Sequence, residues 1–251
     1  MSDTPFLYHW LPNPNLNKSM LDKLRSILRP EEKEEVDSHV VERHRNEKLV
    51  ARAMLRRALS DLTGKSPLTW QFRRNAYGRP EIAAPCNYRH LKFSVSHAGG
   101  LIVCLLSWHR NVGVDVEPIR QVDGMLDIAD RYFAPSEAAS IRALPGHGQS
   151  RGFLELWTLK EAYLKALGSG LSVPITEVAF TIKKGAANQI FAAFGPKLAD
   201  DPARWQFSLA RLDNHLIATA VERRDCVRVN IVMRDAVKLM KCPASVSDKL
   251  Y

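Results

Sequence analysis

Cysteine is scarce in this 251-residue chain, and none of it is arranged for chemistry. Cys86, Cys104, Cys226 and Cys242 include no C-x-x-C pair, so neither a zinc site nor a redox motif is written here. Reduced, structural thiols are the expectation. Long apolar runs are missing too: none approaches the roughly 20 residues that span a bilayer. The opening residues, MSDTPFLYHWLPNPNLNKS, lack a basic segment followed by an apolar core, which is the secretory pattern. Cytoplasmic residence without membrane contact is therefore expected. Low-complexity tracts and internal repeats are absent as well. What is present suits a soluble globular protein: 45% hydrophobic and 25% charged residues, enough for one large domain or two ordinary ones. The net charge of +9 is spread along the chain rather than gathered in a tail. It favours anionic partners, whether nucleic acid, phosphorylated small molecules or an acidic protein.

Residues 1–20, with Pro12 and Pro14, read as irregular. A helix is expected from near Ser19 to near Pro30, and the stretch EEKEEVDSHVVERHRNEKLVARAMLRRALSDLTG reads as strongly helical, with Gly64 as its stop. LTWQFRRNAYGRP reads as a strand running into a turn, LKFSVSH as an alternating strand, and LIVCLLSW as a continuous apolar strand followed by NVGVDVEP. In the second half, MLDIADRYFAPSEAASIRALP reads as two helices broken at Pro135. FLELWTLKEAYLKALG is a patterned helix closed by Gly168, and EVAFTIK, NQIFAAF, WQFSLARL, HLIATAVE and VRVNIVMR are strand candidates. Strands mixed with long helices indicate α+β or α/β. A boundary near Pro118 to Gly124 divides the chain almost equally, into 1–118 and 119–251.

The chemistry-bearing residues fall in four short stretches. Strand residues i and i+2 share a face, so Asp115 and Glu117 of GVDVEP project together while Val114 and Val116 enter a core. Two adjacent carboxylates repel each other unless a cation lies between them. The choice is between two solvated acids at a strand end and a pair built for a hard divalent ion, which takes oxygen ligands and keeps substrate phosphates in its shell. Trp157, Glu161 and Lys165 lie at i, i+4 and i+8, on one helical stripe. Glu161 and Lys165 are either an exposed ion pair or a third ligand and a phosphate contact. Lys160 either reaches the same site or points to solvent. In FSVSHAGG, Ser96, His97 and backbone N–H groups at a strand end make an anion-binding corner, with a structural histidine as the alternative. Arg79, in YGRP, sits on a tight turn.

Taken together, YGRP, FSVSH, VGVDVE, RYFAPSE and WTLKEAYLKALGSGLS resemble the 4′-phosphopantetheinyl transferase superfamily, and in particular its Sfp-type branch. The resemblance runs from roughly residue 40 to 220. It implies an α+β fold made of a pseudo-twofold pair of similar subdomains, with the active site in the cleft between them. It implies transfer of the phosphopantetheine arm of coenzyme A to a serine of an apo carrier protein, with release of adenosine 3′,5′-bisphosphate. By motif position Asp115, Glu117 and Glu161 match magnesium ligands, with Mn²⁺ as an alternative ion. Glu161 also matches the general base, and Lys165 the lysine on the pyrophosphate. Val95, Ser96 and His97 match coenzyme-binding positions, His97 near the 3′-phosphate. Asp115 and Lys160 join the coenzyme contacts, and Tyr77, Gly78, Arg79 and Pro80 match the turn that cradles the adenine nucleotide. Glu137 matches a family acid. Arg43, Arg45 and Lys48 are suited to the 3′-phosphate or to steering an acidic carrier. Where Sfp-type members usually place an arginine before ARAMLR, this chain has Glu47, which leaves open which neighbouring base takes its part.

Fatty-acid, polyketide and peptide carriers are all open as partners, and a monomer is expected from the two-half architecture. Two other readings stand against this one. A metal-dependent nuclease also uses clustered acids and a lysine, but commonly as an acid-x-lysine pair, and here Asp115 is followed by Glu117 and Pro118. A basic RNA-binding module wants aromatics interleaved with basic residues. Phe72, Arg73, Arg74 and Tyr77 are a faint version of that, and leave the three acids without a role. No nucleic-acid partner is therefore expected.

Overall fold

The structure, a computed structural model, describes residues 3–12, 16–169, 173–185, 188–225 and 227–241. Cys226, Cys242 and the last three residues of ALGSGLS lie outside the described residues. The fold is α+β. In the first half, β1 (Phe6–Trp10) is followed by α1 (Lys18–Ser26), α2 (Pro30–Asp37), α3 (Glu42–Thr63), the hairpin β2 (Gln71–Arg74) and β3 (Pro80–Ala84), then β4 (Leu91–Ala98), β5 (Leu101–Trp108) and β6 (Val112–Pro118). The second half holds α4 (Met125–Tyr132), α5 (Pro135–Arg142), α6 (Gly146–Leu167), the hairpin β7 (Val178–Lys183) and β8 (Gln189–Phe194), then β9 (Trp205–Leu212), β10 (His215–Glu222), β11 (Val232–Asp235) and α7 (Val237–Lys241).

Two main sheets form, in the orders β11-β1-β5-β4 and β6-β10-β9. They stack through one apolar layer containing Leu7, Leu101, Val103 and Leu105 from the first sheet and Val112, Val114, Val116, Ile217 and Val221 from the second. The opposite face of β5, with Ile102, Cys104 and Leu106, packs under α3. The opposite face of β10, with Leu216, Ala218 and Ala220, packs under α6. Both faces of β5 are therefore dry, which explains its unbroken apolar run. Each fully buried valine of β6 contributes about 1.5–3 kcal/mol. The halves repeat a theme: α3 and α6 are each 22 residues long, and each stops at a glycine in the left-handed region, Gly64 at φ 71° and Gly168 at φ 68°. Both halves cross the middle of the chain. β6 pairs antiparallel with β10, Asp115 opposite Ala218, while β11 returns to pair parallel with β1.

Two local expectations change. Residues 6–10 are a strand rather than irregular, because β5 and β11 supply its partners from far along the chain. The long acidic–basic helical stretch is two helices. Val40 and Val41, both exposed and β-branched, interrupt it, and Arg45 Nη1 donates to His39 O at 2.9 Å to hold the turn. The break expected at Pro135 is present: α4 ends at Tyr132, and Pro135 is the first residue of α5. Of the described cysteines, Cys86 is exposed, and Cys104 is fully buried with its thiol pKa pushed up by desolvation, an inert core residue.

The packing of α6 on β6 sets the site. Gly113, Asp115 and Glu117 share the face of β6 away from the valine layer. At Gly113 a Cβ would stand 1.9 Å from Ala162 O and 2.5 Å from Ala166 N. Only glycine permits that approach of helix to strand, and the approach brings Glu161 and Lys165 alongside Asp115.

Candidate active site

Asp115 is 5% exposed. Its Oδ1 accepts from Ser96 Oγ at 2.8 Å and from Lys165 Nζ at 2.6 Å, and Lys165 Nζ also donates to Ser96 Oγ at 2.9 Å. Its Oδ2 is buried with no hydrogen-bond partner. A second bridge steadies the same corner: Val114 N donates to Ser94 Oγ at 3.1 Å, tying β4 to β6 across the two sheets. Glu117 and Glu161 are part-buried nearby. Burial first, then the charge of Asp115, raises both carboxyl pKa values above the ordinary range, and Glu161 adds to the effect on Glu117. The result is a partly desolvated pocket of mutually repelling carboxylates, offset by the Lys165 ammonium and, at Glu117, by the charge of Arg120.

Beside it lies a cleft of about 350 Å³ lined by Tyr77, Gly78, Arg79, Pro80, Val95, Glu161 and Lys165, among others. The turn that forms its wall is built by Asn75, whose side-chain oxygen accepts from the backbone N–H of Tyr77 and of Arg79, both at 2.9 Å. Gly78, at φ 85°, supplies the left-handed residue of the turn. Asn75 Nδ2 reaches across to Gly168 O at 3.0 Å, and Arg79 Nη1 donates to Ala166 O at 2.9 Å. Arg79 is thus a cation on the C-terminal carbonyls of α6 rather than a solvated turn arginine, a favourable place for positive charge. Burial lowers its pKa. Tyr77 stands 60% exposed at the lip.

Of the remaining sequence candidates, Lys160, Arg43, Arg45 and Lys48 are held elsewhere, while His97 stands between Glu47 and the charge of Lys165. Lys160 reaches neither the cleft nor solvent. It is fully buried, pairs with Glu137 Oε2 at 2.7 Å, and donates to the carbonyls of Ile175 and Val178. Glu137 in turn accepts from Ala134 N at 2.9 Å and Phe180 N at 2.8 Å, so this pair clamps α5, α6 and β7 together. Arg43 is exposed and pairs with Glu47 at 3.1 Å. Arg45 holds the turn before α3. Lys48, Arg52 and Arg74 converge on Glu35 at 3.1, 2.7 and 2.9 Å. His97 points from β4 toward α3, with Nδ1 3.9 Å from Glu47 Oε2, and burial lowers its pKa. Arg43 and Glu47 line a separate, larger groove with Leu11, Leu16, Val50 and Ile102. The sequence reading missed Asn75, Ser94 and Gly113. Gly113 sits two residues before Asp115, and the alternation that pairs the acids places it on their face.

The donor set suits a hard divalent cation: three carboxylates, one of them with an orphaned, buried oxygen, and the other two raised in pKa by burial and by their acidic neighbours. Among the described residues no three Asp, Glu, His or Cys side chains stand close enough to hold a metal as they are. Lys165 and Ser96 occupy the other Asp115 oxygen.

Two family models match this chain, one described as "4′-phosphopantetheinyl transferase superfamily" over residues 111–220 and one as "4′-phosphopantetheinyl transferase, N-terminal" over residues 9–108. The 4′-phosphopantetheinyl transferase HetI of Nostoc sp. is 30% identical over 205 residues, covering 81% of this chain and 82% of that protein. A 4′-phosphopantetheinyl transferase of Bacillus subtilis is 32% identical over 145 residues, 58% of this chain and 61% of that one. A solved holo-(acyl-carrier-protein) synthase of Bacillus anthracis, in complex with CoA (3′,5′-ADP), aligns at 18% identity and a TM-score of 0.35, over 45% of this chain and 94% of that one. The chain belongs to the 4′-phosphopantetheinyl transferase superfamily, and it is a transferase enzyme. The nuclease and RNA-binding alternatives find no support in these matches.

Proposed function

We propose that the chain moves the 4′-phosphopantetheine group of coenzyme A to a serine hydroxyl of an apo carrier protein, leaving adenosine 3′,5′-bisphosphate, with Mg²⁺ (or Mn²⁺) held by Asp115, Glu117 and Glu161. The observation that carries the reading is the orphaned Oδ2 of Asp115 beside two desolvated carboxylates, at the edge of a nucleotide-sized cleft. The serine oxygen forms a bond to the pantetheine-side phosphorus, and the bond from that phosphorus to the bridging oxygen breaks. The serine proton passes to Glu161, whose raised pKa makes it a better base than an ordinary carboxylate. The turn at Tyr77 to Pro80 orients the adenine nucleotide, and Ser96 and Lys165 meet the pyrophosphate. A bound divalent ion supplies charge neutralisation at the phosphates. Positioning and charge stabilisation account for most of the acceleration in such transfers.

In this reading the coenzyme lies between halves 1–118 and 119–251, and Glu137 and Lys160 serve by holding α6 in place. The same reading makes the protein a cytoplasmic monomer, the monomer following from the two-half architecture. No helix of the described residues is long and apolar enough to cross a membrane. The net charge of +9 favours acidic carriers, of fatty-acid, polyketide or peptide type. Intact-mass spectrometry of such apo carriers, after incubation with this protein, coenzyme A and Mg²⁺, is expected to show the gain of one phosphopantetheine, lost when EDTA is added. Unmodified mass for every carrier type would overturn the proposal.

A further inference from the structure

We infer that Lys165 is the built-in counter-ion of the carboxylate site. In the ligand-free protein its ammonium neutralises Asp115 where a divalent cation acts. The lysine leaves that carboxylate for the pyrophosphate of the incoming nucleotide, so cation and coenzyme bind as a coupled pair. The inference rests on the function proposed above.

Three observations carry it. The Lys165 ammonium is 2.6 Å from Asp115 Oδ1 and 2.9 Å from Ser96 Oγ, so two groups that match phosphate-binding positions are spent on a protein carboxylate. The second oxygen of Asp115 is left buried and unpartnered, an arrangement that a single ammonium does not complete. Three carboxylates share the Lys165 ammonium, with the charge of Arg120 also acting on Glu117, so net negative charge remains around Asp115, Glu117 and Glu161. A divalent ion balances that charge, and the lysine then becomes surplus positive charge next to the cleft wall. The Lys165 side chain is 32% exposed while that of Asp115 is 7% exposed, so the lysine is the partner free to move. Its four-carbon stem gives it the reach. The Ser96 hydroxyl is already bonded to both, and remains as the hinge on which the exchange turns.

This predicts an order of affinities. With the ammonium in place, a free cation meets a carboxylate already paired, so it binds weakly. With a pyrophosphate present, the lysine has a better anion, and the cation site opens. Coupling of this kind is reciprocal: coenzyme tightens the metal by the factor by which metal tightens the coenzyme.

The test is Mn²⁺ binding followed by electron paramagnetic resonance, first without coenzyme. Lys165→Met is expected to bind Mn²⁺ at least about tenfold more tightly than the unaltered protein, because a unit charge within about 4 Å in a half-dry site is worth more than a decade in affinity. Lys165→Arg, which keeps the charge, is expected to stay weak. Saturating coenzyme A is expected to tighten Mn²⁺ at least about tenfold in the unaltered protein and much less in Lys165→Met. Ser96→Ala, which frees one lysine anchor, gives an independent check: a smaller gain in the same direction. Adding Asp115→Asn to Lys165→Met should abolish the gain. Equal or weaker Mn²⁺ binding by both Lys165→Met and Ser96→Ala, without coenzyme, overturns the inference. Carrier modification by the unaltered protein, read by mass on the same sample, reports separately on the proposed function.

Discussion

Glu161→Gln is expected to leave the protein folded and without useful activity. The change removes the proposed base and, at once, the negative charge and one of the two oxygens that would hold the metal, so kcat/KM for carrier modification should fall by at least about 10²–10⁴-fold. The same change should raise the melting temperature of the ligand-free protein. Burial and the charge of Asp115 hold the Glu161 pKa above the ordinary value, so the folded state binds its proton more tightly than the unfolded chain. At a pH below the unfolded pKa both states are protonated, and the unaltered protein and the Glu161→Gln variant differ little. As pH rises through the folded pKa the native carboxyl must ionise against its surroundings, and the unaltered protein loses stability relative to the glutamine form. A gap in melting temperature that opens with rising pH, alongside lost turnover, is a signature that a merely disrupted fold does not give. Retained turnover would remove Glu161 from the chemistry. A gap that closed as pH rose would contradict the desolvation account.

Gly113→Ala is expected to be strongly destabilising for a change of a single methyl group. The added carbon would lie 1.9 Å from Ala162 O, a backbone atom of α6 that cannot rotate away. Helix and strand must separate, which opens the core around Ala162, Ala166 and Ala218. Overpacking of ordinary core positions costs about 1–3 kcal/mol, and a backbone clash belongs at or beyond the top of that range. For a chain of this size about 3 kcal/mol corresponds to roughly 6–12 °C of melting temperature. The separation also withdraws Glu161 from Asp115, so activity at low temperature should fall in the fraction that still folds. Gly146→Ala is the control. Nothing lies within 4 Å of its Cβ position at the start of α6, and alanine there should be neutral or stabilising by up to about 1 kcal/mol. Calorimetry of the two variants decides the matter. A Gly113→Ala protein that melts like Gly146→Ala would mean that α6 does not sit this close to β6.

The acid face of β6 is legible in the sequence because period-two alternation needs no knowledge of partners. The same rule, carried one step back, reaches Gly113, and carried to β4 it separates Ser96, which bonds Asp115, from His97, which faces Glu47. The Trp157, Glu161 and Lys165 stripe is legible for the same local reason. Lys160 is harder: a rotation of about 100° per residue turns it away from Glu161, toward the apolar side shared with Leu156, Tyr163 and Leu164. Its neighbours at i−4, i+3 and i+4 point to burial, but only the fold supplies Glu137 as its partner. Nonlocal partners are also out of reach. Nothing within FLYHW announces that residues 102–106 and 232–235 flank it as strands. Arg79 looks like any turn arginine until the end of α6 is placed above it.

The most direct test of the account is diffraction from crystals grown with coenzyme A and Mn²⁺, collected for the anomalous signal of manganese. One ion is expected between Asp115, Glu117 and Glu161, with oxygens from all three at about 2.0–2.6 Å and the pyrophosphate in the remaining positions. Lys165 is expected on that pyrophosphate and off Asp115. Coenzyme bound with no ion among these three side chains, or an ion held elsewhere while the acids face separate regions of solvent, would contradict it.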